Sequence, residues 1–242
     1  GMTCERVWPY GKHLFMQFGA PGHQPQVLHT HLKMEGTWSM HRVGTRWKKP
    51  AHAARVVLSL SDEPKADIEL VGYWLGLVRV FPAREYQQEM GYLGPDLLAP
   101  DFDVDEAVRR IEAEPDREIG RALLEQHKLA GIGNEYRAEI NFLAGTHPAE
   151  LVRDVDVEKH VRLARRLMWA NKDAPVRVTT GIKRAGETSY VFGRNNKPCR
   201  RCGTLIAKGF LGGEGDLERV IWWCPRCQPE PSPRFSPAPH GG

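Results

Sequence analysis

Residues 127–136 have the sequence His-Lys-Leu-Ala-Gly-Ile-Gly-Asn-Glu-Tyr, and this run decides how the second half of the chain is interpreted. Gly131 and Gly133 stand one residue apart, directly before a segment with helical periodicity. Backbone amides that turn outward at a helix N-terminus form an anion site, to which Lys128 and Asn134 add side-chain donors. A helix–helix turn whose glycines only permit close packing has the same pattern. The run by itself leaves both interpretations open.

Helical periodicity extends on both sides of this run. Asp103 and Glu106 have the spacing of a capping box at a helix start, and Pro115 ends that helix. Gly145 is placed to end the helix that follows the two glycines. Four helices are predicted: 103–114, 116–127 with a cap at Asp116, 135–144, and a last one marked by Val157, Val161, Ala164 and Met168.

The first hundred residues have strand character instead. Short apolar runs alternate with turn signals such as Gly-Ala-Pro-Gly at 19–22, and this spacing predicts an antiparallel sandwich or barrel. Strand character returns from Thr188, and the five prolines of residues 229–242 predict a disordered tail. The predicted strands are 14–18, 27–32, 55–60, 68–70 and 77–81.

Composition excludes several classes of protein. The 242 residues are 41% hydrophobic and 26% charged, which is typical of a globular chain rather than a disordered one. No apolar run approaches the ~18 residues of a membrane span, and the first residues lack a secretory signal, so a cytoplasmic location without a membrane partner is expected. Residues 183–227 carry nine Lys and Arg against four Asp and Glu, which favours a polyanionic partner or a solvated surface.

The cysteines predict a metal centre. Cys199 and Cys202 form one CxxC pair, and Cys224 and Cys227 form a second pair after 21 further residues. Two thiolates on a tight turn converge on one tetrahedral ion, and a β-hairpin brings the second pair opposite. The predicted Zn²⁺ has no open coordination position, so it folds the module and carries no chemistry. Two redox pairs or four unligated thiols are the alternatives, and Cys4 is expected to be buried.

Together with the cysteines, residues 127–136 resemble the formamidopyrimidine/endonuclease VIII family of DNA glycosylases. The resemblance also rests on Tyr10-Gly11-Lys12-His13-Leu14, on HTHLKMEG at 29–36, on LGPDLL at 93–98 and on Gly193-Arg194. It implies a multi-domain α+β fold. The implied parts are an N-terminally incomplete antiparallel β-sandwich (1–98), a helix-two-turn-helix bundle (99–182), a zinc-finger hairpin (183–228) and the disordered tail (229–242).

The resemblance assigns roles to single residues. Met34 resembles the side chain inserted where the damaged base is extruded, and Glu139 resembles an acid near the lesion pocket. The residues by themselves also allow Met34 to be core, His31 to be a sheet histidine and Glu139 to be a surface residue. The implied catalytic residues are Lys12 and Glu139, and the implied DNA contacts are Lys12, His31, Met34, Lys128, Asn134, Arg194 and Arg219.

One departure from the family pattern concerns the nucleophile. Family members use an N-terminal proline amine, followed by a glutamate that acts as acid and base. The sequence here begins Gly-Met-Thr-Cys-Glu, and the match starts just ahead of the strand that leads to Lys12. Glu5 lies on that strand and does not replace the family glutamate. These 242 residues are therefore expected to excise bases poorly, with at most slow Schiff-base chemistry by Lys12.

A second departure concerns the substrate. The 8-oxoguanine branch of the family carries an Arg-Phe pair in a loop, whereas the nearest segment here is Gly-Tyr-Trp-Leu-Gly at 72–76. The histidine-rich run 29–36 and residues 46–52 look more like actinobacterial endonuclease VIII-type enzymes. Oxidised pyrimidines are therefore the expected substrates.

The sequence allows three functions. The first is a base-excision-repair DNA glycosylase with AP-lyase activity, expected to be a monomer associated with the bacterial nucleoid. Its partner is double-stranded DNA that contains damaged bases or abasic sites. The second is a binding protein for such DNA that has lost the chemistry, and the third is a zinc-ribbon nucleic-acid binder unrelated to repair. The true start of the protein separates the first two.

Overall fold

The computed structural model describes residues 1–61, 67–212 and 219–231. The chain divides into two compact units, Gly1–Tyr92 and Leu93–Gly242. The division comes before the predicted boundary at residue 98, because residues 93–98 pack with the helices. The Gly94 N–H donates to the Gln126 carbonyl at 2.8 Å, and Leu97 is fully buried in the helical core.

The first unit contains two antiparallel sheets. Four strands form one sheet in the order β1 (Thr3–Tyr10), β2 (His13–Gly19), β3 (Gln26–His31) and β7 (Leu77–Pro82). Three strands form the other in the order β4 (Thr37–Arg42), β6 (Ile68–Tyr73) and β5 (Ala54–Leu60). A short helix, α1 (Tyr86–Met90), follows.

All five predicted apolar runs form strands, whereas β1 and β4 lacked such a run. Both strands bury few of their residues, so no apolar alternation marks them. Phe15, Val27 and Val71 are fully buried in the sheets. Cys4 was expected to be buried but is exposed, because β1 is an edge strand with little covering it.

The second unit is built from helices and one hairpin. The described helices are α2 (Val104–Glu112), α3 (Ile119–Ala122), α4 (Asn134–Ala144) and α5 (Val157–Asn171). Asp103 caps α2 by accepting from the Glu106 N–H at 2.9 Å, as its spacing predicts. Gly145 ends α4 in the left-handed conformation, with φ of 79°.

The predicted helix over 116–127 is wrong for most of its length. Only Ile119–Ala122 is helical, and the N-cap is Glu118 rather than Asp116. The Ile119 and Gly120 amides donate to the carbonyls of Glu150 and Pro148, at 2.8 and 2.9 Å. Tertiary pairing of the backbone therefore replaces the first helical turn.

Among the described residues after Thr188, strands form at β8 (Ala207–Leu211) and β9 (Arg219–Trp223), which pair as an antiparallel hairpin. Helix α4 packs on two sides. Ile140 joins the core of the helices, while Ala138 and Phe142 pack with Val191 and Ile206 beside the hairpin. This shared helix explains why the helices and the hairpin form one compact unit.

Two further expectations from the sequence concern the C-terminal tail and membrane-spanning helices. The predicted disordered tail, 229–242, lies outside the described residues from 232 onward. In the parts of the chain that the structure describes, every helix is too short or too polar to cross a membrane.

Candidate functional site

The hairpin of the second unit brings the two cysteine pairs together. Cys199 and Cys202 precede β8, Cys224 and Cys227 follow β9, and the four sulfurs lie within 4.8 Å of one another. The Arg201 N–H donates to Cys199 Sγ and the Cys227 N–H to Cys224 Sγ, both at 3.4 Å. Amide donors of this kind stabilise thiolates, so the group is suited to hold a tetrahedral metal ion.

The glycine run before α4 is a tightly bonded turn. Gly131 has a left-handed backbone, with φ of 115°, and its N–H donates to Gln126 Oε1 at 3.0 Å. Asn134 begins α4, and its Nδ2 donates to the Val220 carbonyl of β9 at 3.0 Å. The turn therefore links the helices to the hairpin, and Asn134 stays half-buried at that junction.

Lys128 is not available to a phosphate, which corrects the prediction from the sequence. Its side chain is 2% exposed, and Nζ lies 2.8 Å from Glu125 and 3.0 Å from Glu114. The two carboxylates neutralise the ammonium inside the unit. The positive charge of Lys128, which suggested a phosphate contact, therefore stabilises the turn through these two ion pairs.

Glu139 has a structural position that contradicts the predicted catalytic role. It is fully buried on α4, and its carboxylate accepts from the amides of Tyr190, Val191 and Phe192 at 2.7 to 2.9 Å. The Thr179 hydroxyl donates to the same carboxylate. The oxygens of this carboxylate already accept hydrogen bonds, and solvent does not reach them. The carboxylate therefore stabilises the segment that leads to the first cysteine pair.

Arg194 likewise has a structural role, which corrects its prediction as a DNA contact. It is 9% exposed, and its guanidinium donates to the Tyr190 carbonyl at 2.5 Å and to the Pro198 carbonyl at 2.8 Å. These bonds close the turn ahead of Cys199. Arg219, in contrast, is exposed at the first position of β9, where a phosphate can reach it.

In the first unit, two predicted contacts lie next to each other at one end of a sheet. Lys12 is exposed in the turn between β1 and β2, and the next residue, His13, is paired with His31 across β2 and β3. Burial lowers the pKa of His31, and the positive charges of Lys33 and Lys12 lower it further. The structure therefore brings Lys12 and His31 together.

The backbone fixes the proton position on His31. The Lys33 N–H donates to His31 Nδ1 at 2.8 Å, so the neutral ring carries its hydrogen on Nε2. This tautomer presents an N–H donor, as a phosphate contact requires. Met34, three residues further, is 93% exposed, which excludes the interpretation of Met34 as a core residue.

Two histidines beside His31 were missed from the sequence. His13 Nδ1 lies 2.8 Å from His29 Nε2. The His13 ring packs edge-on against the His31 ring, with 4.7 Å between the ring centroids. Burial, with nearby positive groups, lowers the pKa of both His13 and His29 to about 4. The spacing of His29 and His31 on one strand was a signal that these two side chains lie on the same face. His13 joins them through the register of β2 and β3, which the sequence does not show.

One family model and several named relatives match this chain. The family model "Formamidopyrimidine-DNA glycosylase H2TH domain" matches residues 93–181. "Probable endonuclease 8 2" of Streptomyces coelicolor is 41% identical, covering 97% of this chain and 82% of the relative. "DNA-(apurinic or apyrimidinic site) lyase Nei2" of Mycolicibacterium smegmatis is 40% identical, covering 94% of this chain and 83% of the relative.

Among solved structures, FPG (MutM) of Lactococcus lactis in complex with a FAPY-dG containing DNA has the same fold. The TM-score is 0.77 at 22% identity, and the match covers 95% of this chain and 83% of that chain. Its antiparallel sheets and helices correspond to those described above.

Proposed function

Because the chain belongs to the formamidopyrimidine-DNA glycosylase and endonuclease VIII family, we propose that it is a base-excision-repair DNA glycosylase with AP-lyase activity. The observation that carries the proposal is the grouping of Lys12, His31 and Met34 at the ends of strands β2 and β3. The name of the Mycolicibacterium smegmatis relative, a lyase of apurinic or apyrimidinic sites, supports the same reaction.

The grouping suits the extrusion of a nucleotide from a duplex. The Lys12 ammonium and the Nε2–H of His31 are donors for the phosphates beside the lesion. The exposed Met34 side chain is long, flexible and apolar, so it fills the space that an extruded base leaves. In the second unit, Asn134 and Arg219 remain the proposed phosphate contacts.

The lyase step needs an amine and an abasic aldehyde. The amine adds to C1′ of the open sugar and, with loss of water, gives an iminium ion. The iminium accepts the electrons released when a proton leaves C2′, and the 3′ phosphate is expelled. Lys12 is one amine that the described strands place at this end of the sheet, and Lys33, two residues after His31, is another. An ordinary lysine is almost wholly protonated at neutral pH, so Lys12 suits phosphate binding better than rapid attack.

The four cysteines are proposed to hold one structural Zn²⁺. Four thiolates of the observed spacing match a closed tetrahedral zinc site, which supplies folding free energy and no open position for substrate. Residues 183–228 then form a zinc finger, which follows a β-sandwich and a helix-two-turn-helix bundle along the chain. Oxidised pyrimidines in double-stranded DNA are the proposed substrates, and a monomer of the bacterial cytoplasm and nucleoid is the proposed state.

The proposal is tested with the protein expressed from its native gene. Duplexes carry thymine glycol, 8-oxoguanine or an abasic site, and strand cleavage is followed on denaturing gels. We expect cleavage at the abasic site and at thymine glycol, with less at 8-oxoguanine. Tight binding to abasic DNA without cleavage of any duplex would contradict the enzyme and favour a binding protein.

Met34 offers a second arm of this test, with a matched control. Met34→Ala is expected to reduce the preference for damaged over undamaged duplex, because the space left by the extruded base stays unfilled. Met40→Ala removes another exposed methionine, on β4, and is expected to leave the preference unchanged. Equal behaviour of the two variants would contradict the role of Met34.

A further inference from the structure

Four ring side chains share one face of strands β2 and β3. Side chains two residues apart on a strand lie on the same face, as His13 and Phe15 do on β2. His29 and His31 have the same spacing on β3. The register places His13 opposite His31, and Phe15 is opposite His29. His13 and His29 are therefore diagonal neighbours, close enough for their rings to form a hydrogen bond.

The position of the hydrogen on His29 follows from the surroundings of this ring. Burial lowers the pKa of His29 to about 4, so the ring is neutral at pH 7 and carries one hydrogen. Its Nδ1 is buried and has no hydrogen-bond partner among the described residues. Buried N–H groups without an acceptor are rarer than buried acceptors without a donor. The hydrogen is therefore assigned to Nε2, which donates to His13 Nδ1 at 2.8 Å.

This hydrogen bond also determines the tautomer of His13. Burial lowers the pKa of His13 to about 4, so this ring is neutral as well. Because its Nδ1 accepts from His29, the hydrogen lies on Nε2, on the side of the ring away from His29. His31 has the same tautomer, and the centroids of the His13 and His31 rings are 4.7 Å apart. Two neighbouring rings therefore each carry an Nε2–H donor.

Packing does not explain why a histidine occupies position 29. The His29 ring stacks on Phe15, with 4.5 Å between the centroids, and meets the edge of Phe81 at 6.3 Å. A leucine or phenylalanine would fill this space without burying a nitrogen that has no partner, and such burial is unfavourable. The feature that an apolar residue would lack is the hydrogen bond to His13.

Lysines bring positive charge to the same end of the sheet. Tyr10 and His13 are the last pair of the β1–β2 hairpin, so its turn consists of two residues. Lys12, the second of them, is exposed. After burial and the other histidines, Lys33 and Lys12 also lower the pKa of His13, so both charges act on this ring. Cations beside neutral N–H donors are suited to bind a phosphate.

We propose that His13 is a further phosphate-binding residue, whose Nε2–H donates to the same phosphate as His31, and that His29 is the positioning residue that keeps His13 in the donating tautomer. This inference rests on the proposed function and deepens it, because it adds a contact to the DNA strand beside the extruded nucleotide. A phosphodiester has two non-bridging oxygens, so one phosphate can accept from both rings at once.

The test is a double-mutant cycle between His13 and single phosphates of the DNA. The protein expressed from its native gene is titrated with duplexes that carry a tetrahydrofuran abasic analogue. In each duplex one phosphate near the analogue is replaced by a methylphosphonate, which lacks the charge and one acceptor oxygen. His13→Phe keeps the ring that stacks on Phe15 and removes both nitrogens.

The expected result is a coupling to one phosphate. We expect His13→Phe to bind the unmodified abasic duplex about tenfold more weakly than the wild-type protein, because it loses a hydrogen bond to a charged group. With the methylphosphonate at the contacted position, the two proteins should have Kd values within about twofold of each other. His31→Phe should identify the same phosphate.

Three further variants separate donation from packing. His13→Gln keeps an N–H donor and is expected to recover most of the affinity. His29→Phe keeps the stacked ring without the bond to His13, so we expect about threefold weaker binding, and no further loss when His13→Phe is already present. His23→Phe is the matched control, because His23 is exposed in the turn at the other end of β2 and β3. We expect it to bind as the wild-type protein does.

The outcomes distinguish this inference from the proposed function. A wild-type preference for the abasic duplex, together with an unchanged Kd in His13→Phe, overturns the role of His13 alone. A loss of affinity in His13→Phe that is equal for every methylphosphonate duplex overturns it as well, because it shows a structural effect. Absence of any wild-type preference for the abasic duplex overturns the proposed function and this inference together.

Discussion

The predicted site residues of the two units differ in their exposure to solvent. In Gly1–Tyr92, Lys12 and Met34 are exposed at turns, and His31 at a strand end keeps a donor nitrogen beside them. In Leu93–Gly242, Lys128 and Glu139 are buried and bonded to several partners. A polar residue in a family motif can thus be exposed for a proposed DNA contact in one unit and be part of the architecture in the other.

The cause of the difference is where each residue lies in the fold. The turns at the ends of β2 and β3 extend beyond the packed part of their sheet, so their side chains meet solvent. Helix α4 packs on the helical core and also on the residues around the hairpin. A charged residue on such a helix must have internal partners, because an unpaired buried charge is too costly.

Metal removal gives the largest expected effect and tests whether the architecture of the second unit depends on the cysteines. Cys199→Ser is expected to abolish binding of one Zn²⁺ and to unfold the hairpin, because zinc binding supplies on the order of 10 kcal/mol to such modules. Hydrogen exchange should accelerate in β8 and β9 and stay unchanged in β2 and β3. Cys4→Ser, at an exposed site, is the control. Full zinc content in Cys199→Ser would refute the assignment.

Substitution of Glu139 sharpens the contrast between structural and catalytic carboxylates. Glu139→Gln introduces an amide that cannot accept from all three backbone amides, so we expect a loss of about 3 kcal/mol in unfolding free energy. Exchange of the Tyr190 to Phe192 amides should accelerate accordingly. Glu158→Gln, at an exposed ion pair on α5, should cost under about 0.5 kcal/mol. Lost activity with unchanged exchange would indicate catalysis instead.

Substitutions of Lys128 and Arg219 compare a buried cation with an exposed one. Lys128→Met leaves Glu125 without its buried partner, so we expect about 2 kcal/mol of destabilisation and an unchanged salt dependence of DNA binding. Arg219→Ala should keep stability and reduce the slope of log K against log salt by about one. The measurements are urea unfolding and binding titrations at several salt concentrations. A reduced slope in Lys128→Met would show that Lys128 faces DNA.

The smallest expected effect is the pH dependence of the first unit. The pKa values of His13 and His29 are about 4 in the folded sheet, below the ordinary 6.5. As the pH falls below 6.5, the unfolded chain therefore binds protons that the folded sheet does not, and stability declines between pH 6.5 and 4. His29 is 3% exposed and His13 is half-buried, so both rings contribute to this loss of stability. His29→Leu should flatten the decline in urea midpoint, and an equal decline would contradict this origin.

Local signals predicted the parts of the fold that depend on near neighbours. The cap at Asp103 and the end of α4 at Gly145 follow from residues within one turn. Each cysteine pair is likewise a local motif, and a single hairpin was enough to bring the two pairs together. The five apolar runs were sufficient to locate most strands of the first unit.

Contacts between distant residues could not be predicted in this way. Glu139 meets amides more than fifty residues further along the chain, and nothing local to it indicates them. The pairing of His13 with His29 and His31 depends on the register of β2 and β3. Helix α3 begins at Ile119 rather than after Asp116, and its first amides bond residues 148 and 150, which the periodicity of 116–127 does not reveal.

Borohydride trapping on abasic DNA tests most directly whether the first unit performs the chemistry. The native protein is mixed with a duplex that carries an abasic aldehyde, the Schiff base is reduced, and the cross-linked peptide is identified by mass spectrometry. We predict a covalent adduct whose amine lies N-terminal to Leu93. No adduct, or an adduct at Lys128 or another amine of residues 93–231, would contradict the account.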